Sequence, residues 1–153
     1  MDTADQMIGS TMDEPLTEEM LNELLDSPDP DSFLRTHDVN TRELSDYLQE
    51  LLNTHGLVRK DVIHAANINE TYGYELFTGR KTKPKRDKIL QLAFAMGLSL
   101  RETDRLLTAG GASRLYCKDR RDAIIIFCLD RHASLADVND ALYQRNERTL
   151  SLP

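Results

Sequence analysis

The 153 residues are about one domain's length, and a makeup of 40% apolar and 29% charged residues with only 7 Gly and 5 Pro excludes collagenous, low-complexity and loop-rich β chains. An all-α protein is expected. The formal charge of −7 hides a division: residues 1–50 hold 14 acidic and two basic side chains, whereas residues 51–153 hold 12 acidic and 17 basic.

Residues 1–15 are polar, acidic and aperiodic, and are expected to be a disordered tail. Thr17 is placed to cap a helix carrying Glu18 and Glu19 in its first turn, with Met20, Leu21, Leu24 and Leu25 on one face. After Ser27-Pro28-Asp29-Pro30, a short helix to Arg35 is expected, capped by Asp29 with Pro30 at its first position. Residues 16–39 thus read as an acidic helical arm.

Asn40 with Glu43 three residues on is a capping-box variant, and Leu44, Leu48, Leu51 and Leu52 follow at helical spacing until Gly56. A short helix is expected over Val58–Ala66, with Val62, Ile63 and Ala66 inward, closing at Asn67, a residue that tolerates the left-handed conformation. Glu70–Phe77 is a third helix stopped by Gly79, and Lys85–Met96 a fourth with Pro84 at its start and Gly97 after it. Ser99 with Glu102 opens a fifth, which Gly110-Gly111 ends.

From Leu44 to Leu107 the order of these signals resembles the Xre/Cro, λ-repressor-like helix-turn-helix family. Arg59 matches the polar phosphate-contacting residue that opens that family's second helix. Asn67-Ile68 matches its turn, Gly79-Arg80 the close of its third helix, and Met96-Gly97-Leu98-Ser99 its later ending. The resemblance implies a bacterial, cytoplasmic, DNA-binding transcriptional regulator. Its fold would be a λ-repressor-like bundle over residues 40–110, with the acidic hairpin before it and a helical extension, 111–153, after it. A short helix fits the major groove, and the helix and loop around it lie on the phosphates.

The side chains expected to face DNA on the third helix are Glu70, Thr71, Tyr72, Tyr74, Glu75 and Thr78, with packing against neighbouring helices favoured for one of the two tyrosines. None is Arg, Lys, Asn or Gln, the side chains that best read guanine and adenine edges. Affinity is therefore expected from Arg59, Lys60 and the cationic stretch Arg80, Lys81, Lys83, Lys85, Arg86 and Lys88. Two departures from the family pattern stand close together: Gly73 inside the reading helix, at a cost of roughly 1 kcal/mol against alanine, and Ile63 where alanine is usual.

Shifting the chain by 35 residues aligns Lys85–Leu107 with Arg120–Leu142, matching Arg86-Asp87 to Arg121-Asp122 and Ser99-Leu100 to Ser134-Leu135. A second helix–turn–helix unit is implied, as in helical repeats, and it favours helix over strand for the apolar run Ala123–Leu129. The apolar residues of that helix do not keep to one face, so it is expected to be buried within an α-hairpin or against a second copy of the chain in a homodimer. A helical adaptor that keeps the fold without reading bases is the alternative, with the acidic arm as a contact for a protein partner. His37, His55, His64 and His132 and the two cysteines, Cys117 and Cys128, show no metal-type or nucleophile spacing. Neither an enzyme nor a metal or other cofactor is expected. No membrane association is expected either, since Ala123–Leu129 is too short to span one.

Overall fold

The computed structural model describes residues 17–36 and 43–151, which contain nine helices and no strand. The expected tail over 1–15 and the capping role of Asn40 lie outside the described residues. The chain divides into two compact units, Met1–Asn40 and Thr41–Pro153.

In the first unit, α1 (Thr17–Asp26) is followed by α2 (Pro30–Thr36). Asp29 caps α2 as expected, accepting from the Ser32 amide at 2.7 Å. That bond holds the Asp29 carboxyl below its ordinary pKa. Phe33 is buried, while Leu21, Leu24, Leu25 and Leu34 stay exposed.

The second unit runs α3 (Leu44–His55), α4 (Arg59–Ala65), α5 (Glu70–Thr78), α6 (Arg86–Met96), α7 (Leu100–Ala109), α8 (Arg120–Asp130) and α9 (Leu135–Gln144). Helix α3 starts later than the Asn40 signal implied, with Glu43 in extended conformation at its cap position. Similarly, α6 starts one residue late because Lys85 takes the extended cap conformation. Leu44, Leu48, Leu51, Leu76, Ile89, Leu92, Leu106, Leu107, Ile125 and Leu142 share one core, so residues 111–151 are built into the bundle. Burying such leucines stabilises by roughly 1.5–3 kcal/mol each. None of the helices is long and apolar enough to cross a membrane among the described residues.

The 35-residue repeat is structural and reaches further than the sequence match. Both repeats open their second helix with a reciprocal capping box, Ser99 with Glu102 and Ser134 with Asp137. Gly97 and His132 take equivalent positive φ values of 65° and 54°, and Gly111 and Asn146 values of 77° and 62°. Asp104 accepts from the Leu115 amide at 2.9 Å as Asn139 accepts from Leu150 at 2.8 Å.

The two repeats are not stacked in the manner of a solenoid. Arg86 pairs with Asp122, and Arg121 pairs with Asp87. A translational repeat would pass each contact on to the next unit, whereas an exchange in which i meets j and j meets i is the mark of a twofold axis. The hairpins α6–α7 and α8–α9 are therefore related by an internal pseudo-dyad. Accordingly α6 touches α9 just as α8 touches α7.

Helix α8 is helical, as the repeat implied, but only one side of it is buried. Ile125, Cys128 and Leu129 enter the core. Phe127 is 55% exposed, with the Arg131 guanidinium stacked 3.6 Å from its ring centre. Within the chain α9 and α7 cover only the inner side of α8, and its outer apolar residues are left half-open.

Candidate nucleic-acid interface

The turn between α4 and α5 is built from local signals. Asn67 adopts φ 57°, the left-handed conformation expected of it, and Ile68 behind it is buried. Asn69 then caps α5, its side chain accepting from the Tyr72 amide at 3.1 Å. One long-range contact braces this turn: Gln91 of α6 donates from Nε2 to the Ala66 carbonyl at 2.8 Å. Gln91 is fully buried, and its Oε1 has no hydrogen-bond donor among the described residues.

Gly73 and Ile63 explain each other. A Cβ on Gly73 would lie 2.6 Å from Ile63 Cγ2 and 2.9 Å from Cγ1, closer than atoms approach without displacement. The large residue stands on α4 and the small one on α5, and the two helices cross in contact there. The glycine is kept for its missing side chain and not for an unusual backbone angle.

Helix α5 exposes Glu70, Thr71, Tyr74 and Thr78, leaves Glu75 half-buried and turns Gly73, Leu76 and Phe77 inward. Of the two tyrosines, Tyr72 packs on the core. Burial raises its hydroxyl pKa, and Glu75 adds to the effect. Tyr74 stays out, and Arg59 of α4 lies over its ring at 4.2 Å, within cation–π range. Lys60 is exposed on the same helix.

Beyond Gly79, at φ 86°, the segment 80–85 is a non-helical connection whose Arg80 and Lys81 amides both bond the Glu75 carbonyl. Arg80, Lys81, Lys83 and Lys85 are all exposed, while Pro84 is buried and anchors the segment. Lys88 is half-buried on α6.

Arg86 is put to a different use from the phosphate contact expected of it. Its Nη1 and Nη2 donate to the two carboxylate oxygens of Asp122 at 2.8 Å each. Its Nε and Nη2 also donate to the carbonyls of Ser113 and Arg114 at 3.0 and 3.1 Å. Every nitrogen of the guanidinium is thus engaged inside the fold. Burial alone would raise the Asp122 pKa, but the Arg86 bonds and the Tyr116 amide outweigh it and hold the carboxyl below its ordinary value. The Asp122 bond correspondingly raises the Arg86 pKa.

The dyad-related Arg121 repeats the pattern, donating to both oxygens of Asp87 at 3.0 and 3.1 Å and to the carbonyls of Arg148 and Thr149 at 2.9 and 3.3 Å. The signal for this double clamp was present in the 35-residue alignment of Arg86-Asp87 with Arg121-Asp122. Reading the arginines one stretch at a time concealed it. Neither family models, curated proteins nor solved structures gave a match to this chain.

Proposed function

We propose that this chain is a DNA-binding transcriptional regulator of the helix-turn-helix type, α4 and α5 forming the motif. The observation that carries the reading is that Lys60, Arg80, Lys81, Lys83 and Lys85 are all exposed on the helix before α5 and the non-helical segment after it. A cationic element of this kind on either side of a short exposed helix suits a duplex, whose phosphates supply most of the affinity. With roughly four to five phosphates neutralised, log K falls with log salt at a slope near −4. Fluorescence anisotropy of the full chain with genomic duplex fragments at two salt concentrations tests this. The double variant K81E/K83E is expected to lose most of the binding. Unaltered binding by that variant sinks the reading.

The second reading, a helical adaptor, is favoured by the face of α5 itself. Glu70 and Tyr74 are exposed there with no Arg, Lys, Asn or Gln on the helix, and Arg59 is already stacked on Tyr74. Binding with no preference among fragments, or none at all, favours the adaptor.

A further inference from the structure

We infer a second phosphate-contacting surface on this chain, a cleft between the α7–α8 loop and the segment after α9, which engages the backbone of the same duplex and so rests on the DNA-binding reading. The cleft holds about 630 Å³ and is lined by Arg86, Arg114, Arg120, Arg121 and Arg148 among others. Three carboxylates also line it, and each is already engaged. Asp119 accepts from the Asp122 amide at 2.9 Å, Asp122 holds Arg86 and the Tyr116 amide, and Glu147 holds Arg120 at 3.0 Å.

The balance is cationic, with five arginines against three carboxylates. Arg114 is exposed and makes no ion pair within 4 Å among the described residues, Asp104 being felt only as a longer-range charge. Arg148 reaches Asp87 only at 3.6 Å, with its side chain 73% exposed. Lys118 is exposed on the same loop.

The cleft adjoins the cationic segment 80–85. Arg86, at the end of that segment, holds the Ser113 and Arg114 carbonyls, and the stem of Lys83 passes 3.7 Å from where a Cβ on Gly111 would stand. The two cationic stretches are therefore neighbours, joined through Arg86 and the Lys83 stem. A strand of backbone lying on Lys81 and Lys83 continues towards Arg114 and Arg148, and no base reading is needed for that contact.

The test is anisotropy of the full chain with a random-sequence duplex across a salt series, comparing the native chain with R114Q/R148Q and with K81Q/K83Q. Each phosphate contact contributes about 0.9 to the slope, so R114Q/R148Q is expected to bind more weakly, with a slope shallower by about 2. If that variant melts early, R114Q alone serves, with an expected change of about 1, because its guanidinium has no ion pair to lose. An unchanged slope in these variants beside a shallower one in K81Q/K83Q overturns the cleft and leaves the DNA reading standing. Failure of the native chain to bind duplex at low salt overturns the DNA reading and the cleft with it. Displacement of the duplex by millimolar inorganic phosphate at constant ionic strength, in the native chain but not in R114Q/R148Q, marks a small-anion pocket and overturns the backbone assignment.

Discussion

At the scale of single residues, Gly73 and Ile63 form a couple whose energy is measurable. G73A drives a methyl into Ile63 and is expected to destabilise by about 1–3 kcal/mol, whereas I63A alone loses about 2–5 kcal/mol of packing. The double variant is expected to be more stable than the sum of the two, by at least about 1 kcal/mol of coupling in urea unfolding. Strict additivity would show that a methyl at position 73 does not meet Ile63. Gln91 offers a second measurement. In Q91E a carboxylate faces the Ala66 carbonyl in a fully buried site, so its folded pKa is raised above the unfolded value. A raised pKa confers stability below the unfolded value that is lost as pH climbs through the folded one. The gap between Q91E and the native chain is therefore expected to widen from pH 4 to pH 7, and a gap independent of pH would contradict the bond.

At the scale of elements, the clamp decides how the two hairpins meet. R86A leaves Asp122 mostly buried with its guanidinium partner gone, and R121A leaves Asp87 with only the longer contact to Arg148 at 3.6 Å. Each is expected to cost about 2–4 kcal/mol, slightly below a wholly buried pair because Arg86 and Asp87 keep side-chain exposures of 24% and 23%. The Asp122 pKa is depressed from its ordinary 3.8. The stability it confers is accordingly complete above that value and lost as pH falls through the folded one. Glu102 behaves likewise: burial raises its pKa, but the Ser99 amide and His55, 2.9 Å away across α3 and α7, outweigh it, and the net displacement is downward from 4.5. Thermal midpoints are thus expected to fall steeply below pH 4, and less steeply in R86A. Equal acid slopes in the two proteins would remove Asp122 from the account.

For the whole molecule, the acidity of the first unit and the cationic strips of the second are a matter of polyelectrolyte balance. Glu18, Glu19, Glu23 and Asp26 of α1 are all exposed. Like-signed charge on one chain repels phosphate over roughly a Debye length, about 10 Å at 0.1 M salt. Replacing these four by their amides is expected to tighten binding to non-specific duplex at low salt, with the difference fading as salt rises. An unchanged affinity at low salt would separate the acidic arm from the proposed nucleic-acid surface.

The helices and their ends were legible in the sequence because their causes are local. Leu44, Leu48 and Leu51 keep helical period, Ser99 and Glu102 close a capping box within one turn, and Asn67 needs only its own side chain to accept a positive φ. The exposure of Lys81 and Lys83 also followed from composition. The fate of Arg86 did not, since its partners Asp122, Ser113 and Arg114 lie 27–36 residues away and only folding brings a carboxylate to one arginine of a stretch and not to the next. The same holds for the pairing of Gly73 with Ile63 and for the pseudo-dyad. Period and capping are properties of neighbouring residues, whereas the choice between a cation that holds the fold and one left for a ligand is made by whatever the tertiary structure sets beside it.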